Sequence, residues 1–322
     1  MDGISVGFIG LGNLGLRLVL NLIKSGINTF IYDTDDNKKE NVKDKNVTWL
    51  TSPKEIAENV DIVITCLPSP EAVASVVESK NGLLEGLRPN KLWVEMSTTD
   101  SQELLRLAKL VEGKGSMVLE APVSGGCHRA STGNISILVG GKRIAFEKAL
   151  PILKIVGLEI VHVGELGKAS ILKVVTNFLA STHLVAIGEA LMVSKKAGID
   201  LGKAYDAIKI SSGNSFVHET ESQVILSGSY NVNFTMDLVC KDVGLFQKLV
   251  DTYGIKTDLS EKIVKIFERG KTTYGSRAWS TQIVKLLEDQ NCEYLRSDGF
   301  PKELIDEEID ITPLPFNSKK DN

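Results

Sequence analysis

Lys173 and Asn177 lie four residues apart in an apolar run, with Ile171 and Leu172 before the lysine and Val174, Val175, Phe178 and Leu179 after it. On a helix that spacing sets an amide beside an amine. Burial disfavours the ammonium form, so a lysine placed there can exchange protons near neutral pH. The same pattern also suits a lysine that snorkels from the edge of a core helix. A second group is Ser124-Gly125-Gly126, preceded by Glu120-Ala-Pro-Val. A hydroxyl beside two flexible glycines can aim N–H groups at a carboxylate, or can simply turn the chain between strands. The third is Gly10-Leu11-Gly12-Asn13-Leu14-Gly15, between the strand-like Ser5–Ile9 and the apolar segment Leu16–Ile23. There Gly10 permits a tight turn, Gly12 lets a pyrophosphate approach the backbone and Gly15 allows close helix–strand packing. Free N–H groups and the positive end of the helix dipole would face the phosphates. An ordinary glycine-bearing turn has the same letters, but here strand, helix and acid are in register. That acid, Asp33, stands at the end of the next strand, 23 residues after Gly10. A carboxylate there accepts from ribose hydroxyls and repels a 2′-phosphate, which favours NAD over NADP. Lys38 and Lys39 are the cations near enough to rescue a phosphate.

Other reactive side chains offer less. Cys66, Cys127, Cys240 and Cys292 form no CxxC pair, and His128, His162, His183 and His218 have no ligand spacing, so no metal site is expected. Four thiols in 322 residues argue for a reducing compartment. Cys127 has no evident base and reads as a small filler. Arg129 could touch an anionic substrate or stand on a mobile surface loop.

These groups need elements to hold them. The first half alternates apolar runs (Ser5–Ile9, Asn28–Tyr32, Ile62–Leu67, Leu92–Met96, Met117–Ala121, Ile135–Val139) with amphipathic segments, the pattern of a parallel sheet covered on both faces. From Lys168 onward the chain reads as helix. This predicts an α/β domain over 1–164, an all-α domain over 165–300 and an acidic, proline-bearing tail over 301–322. The balance of 37 Lys+Arg against 41 Asp+Glu, net −4, gives no basic face for nucleic acid. Val174 to Val193 is the most membrane-like stretch, but it contains Asn177, Ser181, His183, Gly188 and Glu189 and reads as a buried soluble helix rather than a span. No signal-peptide pattern opens the chain, and a cytoplasmic protein is expected.

Taken in order, Gly10–Gly15, Leu67-Pro68, Ser97-Thr98, Ala-Pro-Val-Ser-Gly-Gly at 121–126, Lys173 with Asn177, and Lys241-Asp242 resemble the β-hydroxyacid dehydrogenases, a family that includes 3-hydroxyisobutyrate dehydrogenase. The likeness runs from residue 4 to about 290. It implies a Rossmann-like domain joined by a long central helix to a helical one, and a homodimer or homotetramer. It also implies NAD-dependent oxidation of a short 3-hydroxy acid, with Lys173 as general acid/base. Ser124, Gly125 and Gly126 would grip the carboxylate of a small anionic substrate, and Asn177 would help hold it. Gly10 to Gly15 and Asp33 would bind the cofactor, with Leu67 and Pro68 along it, Thr98 near the nicotinamide, and Lys241 closing the site with Phe234 just upstream. A semialdehyde reductase acting on tartronate or succinic semialdehyde or a sulfonate analogue, and a non-catalytic NAD-binding module, are the alternatives. Relatives that reduce imines, and non-catalytic ones, would be expected to lack Lys173. The sequence departs from the family at Cys127-His128-Arg129 and in the long ending after Tyr274.

Overall fold

The computed structural model describes residues 4–43 and 45–308. Residues 309–322, the end of the expected acidic tail, lie outside the described residues. The sheet is built around β1 (Ser5–Ile9) and β2 (Asn28–Tyr32), followed by β3 (Thr48–Trp49), β4 (Ile62–Thr65), β5 (Leu92–Glu95) and β6 (Met117–Glu120). These strands pair parallel in the order β3-β2-β1-β4-β5-β6. Beyond β6 the direction reverses. β8 (Ile135–Gly141) runs antiparallel to β6 and to the short β7 (Val123–Ser124), and β9 (Gly157–Gly164) lies parallel to β8. The alternation in the sequence predicted β1, β2, β4, β5, β6 and β8, with β1 and β2 at the bounds observed, but as one parallel sheet, whereas β8 runs antiparallel to β6. It did not predict β3, β7 or β9. β9 is framed by glycines and only half-buried, so it carries a weaker apolar signal than a central strand.

Helices cover both faces. These are α1 (Asn13–Lys24), α2 (Pro53–Asn59), α3 (Pro70–Glu78), α4 (Leu83–Gly86), α5 (Ser101–Glu112), α6 (Gly126–Thr132) and α7 (Arg143–Val156). Side chains alternate along β1: Val6 and Phe8 enter the core under α1 and α7, while Ile9 enters the opposite core with Ile56, Trp93 and Leu104. Gly7 is required on that second face, because a Cβ there would stand 2.2 Å from the Ile56 side chain.

β9 ends at Gly164, and α8 (Lys168–Lys196) begins a region whose regular elements, among the described residues, are helices, with one isolated bridge between Thr235 and Trp279. It continues through α9 (Leu201–Lys209), α10 (Phe216–Leu226), α11 (Met236–Tyr253), α12 (Ser260–Tyr274) and α13 (Gln282–Asn291). α8 packs against α9 to α13 and also touches α5, β8 and β9, so it serves both regions. Gly188 lets α13 approach, since a Cβ would meet Val284 at 2.8 Å. By length and composition α8 could cross a membrane, and only 33% of its most apolar stretch is buried. The helix expected to be buried puts one face into the core, while Leu172, Leu179 and Val193 form an exposed stripe. After α13 the chain returns to the sheet region. Asp306 accepts from Thr132 Oγ1 at 2.6 Å and Asn134 Nδ2 at 2.7 Å, and Glu308 pairs with Lys24.

Candidate active site

The strand order reverses between β1 and β4, and in such sheets the crevice beyond the strand ends at that point is where ligands bind. Gly10 sits there with φ +100°, and a Cβ on it would lie 2.3 Å from the Cys66 carbonyl oxygen. A Cβ on Gly15 would lie 2.0 Å from the Gly10 carbonyl oxygen. A Cβ on exposed Gly12 would meet nothing within 4 Å. No side chain caps α1, and its first turn carries no acid, so its N–H groups remain free for an anion. The Leu11 side chain is buried, which leaves only its backbone toward the crevice; its N–H donates to Asp33 Oδ2 at 2.6 Å. Asn13 is exposed and Leu14 packs into the core. These residues fit a nucleotide diphosphate: the loop presents bare backbone, and Asp33 stands at its rim.

Leu67 and Pro68 follow β4 along the same edge; Leu67 N–H donates to Ser97 Oγ at 2.8 Å, and Pro68 is exposed. Behind them lies a group that motif reading missed. Glu95 is fully buried and accepts from Thr65 Oγ1 and Ser97 N–H, both at 2.6 Å, while Trp93 Nε1 donates to Thr65 at 2.8 Å. Burial raises the Glu95 carboxyl to about 7. It braces the β4 and β5 ends from within the sheet.

Lys173, 7% exposed, is one helical turn from Asn177 on α8, and its Nζ donates to Asn177 Oδ1 at 2.7 Å. Asn177 Nδ2 in turn donates to Asp242 Oδ2 at 2.5 Å. Asp242 pairs with Lys241 at 2.9 Å, and Lys241 Nζ donates to the Thr98 carbonyl at 2.7 Å. A continuous polar chain thus runs from Lys173 across α11 to the end of β5. Burial pulls the Lys173 amine down to about 8; Lys241 adds to that, and Asp242 opposes it. The chain brings Lys173, Asn177, Lys241 and Thr98 together. Asp242, noted only as the neighbour of Lys241, is the link between two helices. Phe234 stands at the foot of α11, packed on the helical core.

What aims α8 is a second residue that the motifs hid. Glu120, fully buried at the end of β6, accepts from the N–H groups of Ala169 at 2.9 Å and Ser170 at 3.0 Å, and from the Ser170 hydroxyl. A carboxylate at a helix N-terminus satisfies donors that have no intrahelical partner. Gly140 makes room for it, since a Cβ there would stand 2.2 Å from Glu120 Oε1. Glu120→Ala would strand these buried N–H groups next to a cavity. We expect a loss of about 2–4 kcal/mol of stability, read as a lower urea midpoint, with Glu120→Gln losing less. Equal midpoints for Glu120→Ala and the parent would count against this role.

Ser124 ends β7, and Gly125 and Gly126 follow with φ +128° and +81°. Among the described residues the Ser124 hydroxyl has no hydrogen-bond partner. The segment is therefore a strand end turning into α6, with its backbone bent outward at two glycines. Cys127 is buried, with its thiol raised by burial and its Sγ 3.8 Å from the Asn233 carbonyl, which fits the filler reading. Arg129 lies over the Phe216 ring, with its guanidinium carbon 4.6 Å from the centroid.

Two family models match the chain. Residues 5–164 match the NAD binding domain of 6-phosphogluconate dehydrogenase, and residues 167–287 match the NAD-binding domain of NADP-dependent 3-hydroxyisobutyrate dehydrogenase. The 2-(hydroxymethyl)glutarate dehydrogenase of Eubacterium barkeri is 30% identical over 286 residues, 88% of this chain and 95% of that one. A probable mitochondrial 3-hydroxyisobutyrate dehydrogenase of Dictyostelium discoideum is 33% identical over 248 residues, 75% of this chain and 77% of its own. Among solved structures, a 3-hydroxyisobutyrate dehydrogenase of Mycobacterium tuberculosis with L-serine superposes with a TM-score of 0.77 at 26% identity, covering 88% of this chain and 99% of that one.

Proposed function

The chain belongs to the β-hydroxyacid dehydrogenase family, and from that premise we propose that it oxidises a short 3-hydroxy acid with NAD, using Lys173 as general acid/base. Membership makes it an NAD(P)-dependent oxidoreductase acting on a CH–OH group. The observation that carries the finer reading is the Lys173 amine, buried and lowered to about 8 and held by Asn177. A bound nicotinamide would supply the hydride acceptor or donor. The chain's part is binding, orientation and proton transfer. Ser124 and the N–H groups at Gly125 and Gly126 would hold the carboxylate, and Asn177 would fix the amine through its Oδ1. Neutral Lys173 Nζ would take the hydroxyl proton in oxidation; its ammonium form would return a proton to the carbonyl oxygen in reduction. Lys241, bound to the Thr98 carbonyl, would hold α11 over the crevice and exclude water. The Asp33 carboxylate supports NAD as the cofactor. L-serine, held by the mycobacterial relative, is itself a 3-hydroxy acid, and the first-named relative acts on a hydroxymethyl dicarboxylate.

A second reading has its own support. An amine with a pKa of about 8 is mostly ammonium at neutral pH, the form that reduction needs, so a semialdehyde reductase remains a direct competitor. Initial rates with C3–C5 hydroxy acids and NAD+, against the matching semialdehydes and NADH, decide between them. No turnover in either direction, with NADH bound, would overturn both. The exposed α8 stripe at Leu172, Leu179 and Val193 supports a homodimer or homotetramer. Sedimentation should give a multiple of 35.0 kDa, and Leu179→Glu should shift it toward monomer.

A further inference from the structure

The geometry points to Arg129 as the residue that reads a second anionic group, a carboxylate or sulfonate, at the far end of the substrate. This deepens the hydroxy-acid reading above and rests on it. Arg129 follows the Ser124 loop on α6, and its stem lies against that loop: a Cβ on Gly125 would stand 3.1 Å from Arg129 Cδ. From there the side chain crosses to the helical region, where its guanidinium covers the face of Phe216, the first residue of α10. His128 stacks on the same ring at 6.3 Å. Phe216 is 44% exposed and contributes little to the helical core; its ring serves as a platform for the arginine.

A guanidinium laid on an aromatic face keeps its edge donors free for a planar anion. Among the described residues no carboxylate lies within 4.0 Å of Arg129, and none of its guanidinium N–H groups has a hydrogen-bond partner. The acid whose charge reaches it is Asp306, and that carboxylate is occupied by Thr132 and Asn134. Arg129 is thus a fixed cation one loop away from Ser124, with its donors unspent. A substrate whose first carboxylate is held at Ser124 brings a terminal carboxylate or sulfonate toward it. A terminal methyl would instead leave the guanidinium desolvated and unpaired, and sites of that kind reject the analogue that lacks the polar group.

The test uses two acids that differ only at that end, 2-(hydroxymethyl)succinate and 2-(hydroxymethyl)butanoate, assayed with NAD+. The protein should prefer the dianion in kcat/KM by about 30-fold, and Arg129→Gln should abolish most of that ratio. Arg129→Lys should restore part of it. Phe216→Leu, which leaves the charge but removes the platform, should lower the ratio about threefold. Calorimetric titration of succinate and butyrate into the NADH-loaded protein reads the same subsite without turnover, and succinate should bind more tightly only while Arg129 is present. A ratio near one in the parent, or a ratio unchanged in Arg129→Gln, overturns the assignment. If neither acid is oxidised, the hydroxy-acid reading fails; the calorimetry still decides the subsite, with equal affinities overturning it.

Discussion

Replacing Lys173 by alanine is expected to lower kcat about 1,000-fold in both directions, while NADH binding, followed by its fluorescence, stays within about twofold. Lys173 Nζ stands at the head of the Asn177–Asp242–Lys241 chain, with its amine lowered by burial to about 8, and it is the group assigned to the proton transfer. The pH dependence gives a second readout. Oxidation needs the neutral amine, so its rate should rise with pH and reach half its plateau near 8. Reduction needs the ammonium form, so its rate should fall over the same range. Lys173→Arg keeps the charge but cannot release the proton, and should be as slow as alanine in oxidation. Stability should rise with pH as the oxidation rate does. The folded amine has the lower pKa, so the unfolded chain binds more protons between about 8 and about 10.4, and stability rises with pH across that window. Below about 8 the cost of the buried charge is fully present, so Lys173→Met should be the more stable protein at pH 7, by about 1–3 kcal/mol. A substitution that left both the rate and its pH limb intact would remove Lys173 from the mechanism.

Asp33→Ala should shift the preference for NAD+ over NADP+, measured as the ratio of kcat/KM values, by about 100-fold toward NADP+. Each Asp33 oxygen already accepts one backbone N–H, Oδ2 from Leu11 at 2.6 Å and Oδ1 from Asp35 at 2.9 Å. A carboxylate has further lone pairs, enough to accept from a ribose diol as well. The same negative charge would oppose a 2′-phosphate. Of the two lysines that could offset it, Lys39 is engaged, paired with Asp36 at 2.7 Å and lying 5.0 Å from the centroid of the Trp49 ring. The substitution removes a strong acceptor for NAD and the repulsion against NADP together. It also frees the Leu11 N–H, so NAD+ should lose more through KM than through kcat. A parent enzyme that already turned over NADP+ as well as NAD+ would show that Asp33 does not select the cofactor.

The sequence by itself determined what is local. Strand-forming β-branched and aromatic residues at Ser5–Ile9 and Asn28–Tyr32 set both strands at their observed bounds. The glycine spacing set the turn at Gly10, where no other residue fits. Helical periodicity placed Asn177 beside Lys173, as their hydrogen bond bears out. These features depend on neighbours a few residues apart, so their physics is written in the order of the letters. The tertiary structure alone decided which distant groups meet. Asp242 reaches Asn177 across 65 positions, Lys241 reaches the Thr98 carbonyl across 143, and Glu120 caps the helix that carries Lys173 from about 50 positions upstream. β9 and the platform at Phe216 were equally hidden. A glycine-framed, half-buried strand and an exposed ring have no distinctive local pattern; β9 gains its partners only by pairing with β8, and the Phe216 ring only by meeting Arg129 and His128. A hydrogen bond between remote residues is favourable only once the intervening chain has folded, so no short stretch of sequence announces it.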